Sequence, residues 1–172
     1  NDNSSRFGKY MELQFGLDGR PIGGKITNYL LEKGRVVARQ VGERSFHIFY
    51  NLLASGDAAA LAAAALQADP QQYQYLARSE CVKVDTLDDA ADWKQVNRAL
   101  DTLQFGAEEK TTMWKLLAAI LHLGNVEFDE DTSGKTPESK VRNADVCDVI
   151  AGLLDNEPGV IRKVLVSRTI VS

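Results

Sequence analysis

The residues of this chain best suited to chemistry stand at its start: Asn1-Asp2-Asn3-Ser4-Ser5-Arg6-Phe7-Gly8-Lys9. Consecutive short polar side chains let the backbone bend around an anion, with N–H groups and hydroxyls turned inward as a nest. A hydroxyl such as that of Ser5 suits Mg²⁺, which takes oxygen ligands and keeps most of its waters. Arg6 adds a planar, permanently charged fork that fits a phosphate, or a carboxylate closing over one. On composition alone a solvated polar terminus is the simpler account.

Other candidate chemistry is weaker. Gly19-Arg-Pro-Ile-Gly23-Gly24-Lys25 approaches the phosphate-binding loop pattern, but Ile26 stands where a Ser or Thr should hold Mg²⁺. That motif also needs a helix opening at its Lys, and here the pattern crosses a turn into extended chain. Asn3-Ser4-Ser5 formally fits a glycosylation acceptor in a chain with no secretory signal, and reads as accidental. His47 and His122 sit among apolar neighbours with no carboxylate spaced as a co-ligand, so packing roles are expected of both. Two such histidines do not assemble a Ser/His/Asp nucleophile. The acids at 129–131 lack the alternating ligands, central Gly and terminal Glu of an EF-hand, and read as a solvated loop.

The elements that must position the opening run are legible from periodicity. Met11, Leu13 and Phe15 alternate with Tyr10, Glu12 and Gln14, the period of a strand. A second extended run covers 22–30, and Asp18-Gly19 with Pro21 between them predicts an antiparallel hairpin. An isolated hairpin is marginal in water, so this one is expected to complete a larger sheet. After Gly42 the period becomes helical, with Phe46, Phe49, Tyr50 and Leu53 on one stripe ending near Gly56. Asp57 is placed to cap a peripheral Ala-rich helix running to about Ala68, before Asp69-Pro70.

Thr86 and Asp89 resemble a capping box for a helix carrying Trp93, Val96, Leu100 and Leu103. Met113, Leu116, Leu117, Ile120 and Leu121 mark the central core helix over 107–123, with Gly124-Asn125 read as its C-cap. Residues 129–139 are the expected mobile loop. Val146, Val149, Ile150 and Leu153 define one further helix, and Val160, Ile161, Val164 and Leu165 another, although 164–171 taken alone is strand-like. The prediction is a mainly α chain: a β-hairpin arm over residues 1–33 and an all-helical body over 34–172.

Composition limits the function classes. The 172 residues hold 20 Lys plus Arg against 24 Asp plus Glu, interspersed, for a net charge of −4, which argues against nucleic acid and against a membrane surface. The longest apolar run, 58–66, is mostly Ala and far below the about 20 residues that span a bilayer. Cys81 and Cys147 have no CxxC spacing, and with two histidines they make a poor metal site, so reduced cytosolic thiols are expected. Starting at Asn1 with no signal segment, the chain is expected to be a piece of something longer.

The decapeptide Asn1-Asp-Asn-Ser-Ser-Arg-Phe-Gly-Lys-Tyr10 closely resembles switch I of the myosin motor, Asn-x-Asn-Ser-Ser-Arg-Phe-Gly-Lys followed by an aromatic residue. Further matches follow in family order: Tyr29-Leu-Leu-Glu-Lys33 with Arg35-Val-Val, Gly42-Glu-Arg with Phe46-His-Ile-Phe-Tyr50, and Ile120-Leu-His-Leu-Gly-Asn-Val-Glu-Phe128. The resemblance spans essentially the whole chain. Asp2, Tyr10 and the short loops are most similar to the single-headed class I myosins. Gly34 stands where the family usually has Ser, and Ser45 where Asn is common.

The resemblance implies a specific anatomy. The chain would be the helical upper 50 kDa subdomain, with its hairpin contributing to the central transducer sheet. Asn1, Asn3 and Ser4 would line the phosphates of ATP, Ser5 would ligate Mg²⁺, and Ser4 would position the attacking water. Arg6 would pair with a Glu of switch II and close the pocket. The implied partners are F-actin, the remainder of the motor, and a light chain or calmodulin on a lever outside this sequence. The implied setting is cytoplasmic, on the actin cytoskeleton, with no nucleic acid and no direct membrane contact. The phosphate-binding loop, switch II, converter and lever are not in this sequence, so the piece alone is expected to be inactive. The competing reading is a non-catalytic helical interaction module with a polar N-terminal arm.

Overall fold

The computed structural model describes residues 8–132 and 138–167. The chain divides after Gln40 into two units. The first holds strands β1 (Gly8–Phe15) and β2 (Pro21–Tyr29), paired antiparallel, and a short helix α1 (Lys33–Val37). The register sets Met11 opposite Ile26 and Glu12 opposite Lys25. Alternation therefore gathers Met11, Leu13, Phe15, Ile22 and Ile26 on one face, and each of the five is more than half exposed. The turn covers residues 16–20, around Asp18 and Gly19 as expected. The Gly16 N–H donates to the Arg20 carbonyl at 2.8 Å, and within it Gly19 alone takes a positive φ, +76°. Among the described residues the two strands pair only with each other.

The second unit is helical. Its elements are α2 (His47–Leu53), α3 (Ala58–Ala63), α4 (Gln74–Ala77), α5 (Asp89–Thr102), α6 (Ala107–Leu123), α7 (Ala144–Leu153) and α8 (Pro158–Val166). A single 3₁₀ turn, Pro70–Gln72, precedes α4, and a ribbon of β3 (Phe128–Asp131) and β4 (Glu138–Val141) separates α6 from α7. The core is built where α2, the segment around Leu76, α6 and α7 converge: Tyr50, Leu52, Leu53, Leu76, Leu121 and Cys147 are almost fully buried. Each large aliphatic chain removed from water there contributes about 1.5–3 kcal/mol. Trp93 on α5 meets Trp114 on α6 with ring centroids 4.6 Å apart.

Several expected boundaries move, for identifiable reasons. The Ala-rich helix has its predicted cap, with Asp57 Oδ1 accepting from the Ala60 N–H at 2.9 Å, but it stops at Ala63 and not Ala68. It ends early because Leu66 turns inward: Ala65 takes φ +53°, the Leu66 N–H donates to the Leu61 carbonyl at 2.7 Å, and Leu61, Ala64 and Leu66 are all buried. The helix is part of the core and not peripheral. Helix α5 is capped by Asp88, whose Oδ1 accepts from the Ala91 N–H at 2.9 Å, and not by Thr86.

The buried side of α6 centres on Ala118, Ala119 and Leu121, while Leu116, placed on the core stripe by sequence, is half exposed. Glu109 completes the start of this helix by accepting from the Gly106 N–H at 2.7 Å. The segment expected to be a loop over 129–139 instead supplies the two strands of the ribbon; residues 133–137 lie outside the described residues. The strand-like reading of 164–171 fails as far as the description reaches, because α8 continues to Val166. Pro at its first position and Ile161 packed on the core favour helix there.

Candidate functional site

Asn1, Asn3, Ser4, Ser5 and Arg6 lie outside the described residues. The description begins at the strand that carries them. Gly8 opens β1 opposite Tyr29, the last residue of β2. A Cβ built on Gly8 would sit 2.5 Å from Cζ of the Tyr29 ring, far inside contact distance. The Tyr29 ring thus lies over the Gly8 backbone, and a larger residue there would have to displace that half-exposed ring. The hairpin beyond it pairs in register from Gly8 opposite Tyr29 to Phe15 opposite Pro21, with one irregularity between Gln14 and Phe15.

The weaker candidates can be placed directly. The Gly19–Lys25 pattern runs through the turn into β2, with Lys25 opposite Glu12 and no helix opening at it, so it is not a phosphate loop. His47 opens α2 half buried. His122 lies in the last turn of α6 with its ring edge-on to Tyr73, centroids 6.0 Å apart, in a packing position as expected. Burial pushes its imidazole below the usual histidine value, against a weaker opposite pull from the carbonyls of Ala64 and Ala65. Cys147 is buried in α7, where desolvation raises its thiol, and both cysteines are free.

The acids of the ribbon are engaged by arginine. Arg142 Nε donates to Asp129 Oδ1 at 2.7 Å and Nη1 donates to Glu127 Oε2 at 2.9 Å. The Arg142 hydrogen bond holds the Asp129 carboxyl below the usual carboxylate range. No group of His, Cys, Asp and Glu that could hold a metal ion occurs among the described residues.

Two polar clusters were not anticipated. Arg44 Nη2 donates to both carboxylate oxygens of Asp89, at 2.7 and 2.9 Å, while its guanidinium lies 3.7 Å from the centroid of the Tyr50 ring. Asn51 Nδ2 donates to Asp89 Oδ1 at 3.1 Å, which ties α2 to the first turn of α5. These partners are 38 and 45 residues apart in sequence, beyond any local spacing rule. The second cluster surrounds Asn125. Its Oδ1 accepts from the Gln74 N–H and its Nδ2 donates to the Gln72 carbonyl, both at 2.8 Å, and Asn143 Nδ2 donates to the Asn125 carbonyl at 2.9 Å. One residue thereby joins α4, α6 and the start of α7. An apolar groove of about 320 Å³ also opens between α6, α7 and α8, walled by Leu116, Ile120, Ile150, Leu154, Ile161 and Val164.

Comparison with known proteins decides the family. The model of the myosin head (motor domain) matches residues 1–172, the entire chain. The chain belongs to the myosin head family. It is 45% identical over 175 residues to unconventional myosin-Ic of Gallus gallus, covering all of this chain and 16% of that protein. It is 49% identical over 145 residues to the myosin IE heavy chain of Dictyostelium discoideum, covering 84% of this chain and 14% of that one. Human unconventional myosin-Ih is 43% identical over 170 residues, covering 99% and 16%. The relatives are class I unconventional myosins, as the opening decapeptide suggested, and the chain spans about one sixth of their length. Within this myosin head segment the helical body and its leading hairpin are the described parts, and no described helix is long and apolar enough to cross a membrane.

Proposed function

We propose that the chain is the switch I and upper 50 kDa segment of an actin-activated Mg²⁺-ATPase motor of the class I type. The observation that carries this reading is the uninterrupted decapeptide Asn1 to Tyr10 at the head of a chain that matches the myosin head from end to end. Residues 1–33 act as switch loop and hairpin arm, and 34–172 as the helical body forming the upper half of the actin-binding cleft. The exposed apolar face of Met11, Leu13, Phe15, Ile22 and Ile26 supports a hairpin that completes a larger transducer sheet, because a two-stranded ribbon alone leaves that face in water.

The donor set fits a magnesium nucleotide: two amides, two adjacent hydroxyls and one guanidinium, all hard oxygen ligands or phosphate donors. Bound Mg²⁺ would neutralise phosphate charge. Asn1, Asn3 and Ser4 donate to the phosphates of ATP, and Ser5 offers its hydroxyl oxygen to the metal. Ser4 also orients the attacking water, and Arg6 pairs with a carboxylate of switch II to keep bulk water out. This is the general strategy of phosphoryl transfer, in which positioning and preorganised donors stabilise spread charge. A switch loop held by the terminal phosphate is freed when that phosphate leaves. Such a motor works in the cytoplasm on F-actin, with a light chain or calmodulin on its lever.

The test is Arg6→Ala in the complete motor. Nucleotide should still bind, while single-turnover hydrolysis falls about a hundredfold or more, the usual cost of removing a preorganised charged partner. Unchanged single-turnover cleavage overturns the reading and leaves the chain as a helical interaction module.

A further inference from the structure

The last rung of the hairpin lays an aromatic ring over a glycine. Gly8 faces Tyr29 at the end of the ladder, and the ring atoms Cζ, Cε1 and Cε2 lie 2.5 to 2.8 Å from where a Cβ on Gly8 would stand. The glycines inside β2 differ: a Cβ on Gly23 would meet the Gln14 side chain, and one on Gly24 the Glu12 carbonyl and Leu13. Beyond this rung β2 ends, and Leu30 turns away with φ +56°. Glycine opens the widest range of backbone angles, and in a strand it has no side chain with which to hold its place. A ring reaching across from the partner strand supplies the missing contact.

We propose that Tyr29 is a positioning residue for nucleotide hydrolysis: by covering Gly8 it narrows the backbone freedom at the point where residues 1–7 join β1. This role rests on the reading of that run as switch I. Ser5 and Arg6 stand three and two residues before Gly8, so a rotation about the Gly8 backbone is carried to both. A displacement of about 1 Å at a reacting centre can cost about a hundredfold in rate. Confining one backbone residue changes a population about tenfold, and glycine has the most freedom to lose. A ring that already confines Gly8 spares the nucleotide that ordering. The atoms nearest Gly8 are ring carbons, so the flat ring and not the phenol hydroxyl makes the contact. Nucleotide affinity draws on the rest of the motor, whereas the attacking water and the closing Arg6 depend on how this loop stands. The loss of the ring should therefore fall on hydrolysis and not on affinity.

The experiment measures single-turnover ATP hydrolysis by the complete motor, together with its affinity for a non-hydrolysable magnesium nucleotide. Tyr29→Ala should slow hydrolysis about tenfold and leave the dissociation constant within about twofold of native. Tyr29→Phe, which keeps the ring, should match the native motor in both. A native rate in Tyr29→Ala or a slow one in Tyr29→Phe overturns the role, and so does weaker binding that accounts for the whole loss, which marks a merely structural defect. If Tyr29→Ala fails to fold, Tyr29→Leu, which keeps bulk without a flat ring, takes its place with the same outcomes. Arg6→Ala separates this role from the reading beneath it. Where Arg6→Ala is slow and Tyr29→Ala is native, switch I stands and the role of Tyr29 falls; where Arg6→Ala is native, both fall.

Discussion

Arg44 and Asp89 form a buried ion pair in which one guanidinium nitrogen reaches both carboxylate oxygens, with the arginine side chain only 3% exposed and the aspartate 21%. The pair sits on the Tyr50 ring and is braced by Asn51, so four residues of three segments meet at one charge. Removing one partner leaves the other charge in a poorly solvated site. Arg44→Ala should therefore destabilise the helical body by about 3 kcal/mol, at the lower end for a buried pair because Asp89 keeps some water. Thermal or urea unfolding of the complete motor checks this, and Arg44→Lys should recover only part of the loss, since an ammonium cannot lie flat on Tyr50.

A neighbouring site should respond in the opposite way. Ser45 is 2% exposed and its hydroxyl has no hydrogen-bond partner, while its N–H donates to the Tyr50 hydroxyl at 3.0 Å. Ser45→Ala keeps that backbone bond and removes an unpaired buried hydroxyl. The expected change is neutral to stabilising, by up to about 1 kcal/mol, measured in the same unfolding experiment.

Gly124 is required for contact and not for conformation. Its φ is −63°, ordinary helix, so the left-handed cap expected from sequence is absent. A Cβ there would lie 2.7 Å from Cβ of Tyr75 and 3.2 Å from its backbone nitrogen. Gly124→Ala must push α4 off the end of α6 and should cost about 1–3 kcal/mol. Asn125→Ala should cost less, about 1 kcal/mol, because the two backbone groups it frees are reachable by water. The order of the two losses is the measurement that matters.

On the ribbon, the Asp129 carboxyl should titrate below the usual aspartate range, because Arg142 hydrogen-bonds its charged form. Arg142→Ala should return the midpoint toward the ordinary value, and so should high salt, since both partners face solvent. The contribution of this pair exists above the usual carboxylate value and disappears as pH falls through the lowered one. Carboxyl carbon NMR titration reads both effects.

The hairpin, the α2 stripe and the helices α7 and α8 were legible because each rests on a local period: two for the strands, and three to four for the helices. What escaped depends on distant partners. Nothing near Ala63 says that the chain must stop and turn so that Leu66 can reach the core. Asp88 and Thr86 are equally good caps on paper, and only the packed start of α5 selects the aspartate. The acids of 129–131 look like loop until Arg142 is brought across the ribbon to meet Asp129. For the candidate site, residue types alone favoured a solvated polar terminus, and the phosphate reading of residues 1–6 came from the family resemblance; the tyrosine ring that crowds Gly8 lies 21 residues away.

The bare side of the hairpin has a practical consequence for anyone handling this segment by itself. With Met11, Phe15 and Ile26 presented to solvent on a ribbon with open edges, a truncated sample would adhere to itself, to plastic and to chaperones. Assays on such material would report stickiness in place of chemistry, so every measurement above belongs in the intact polypeptide.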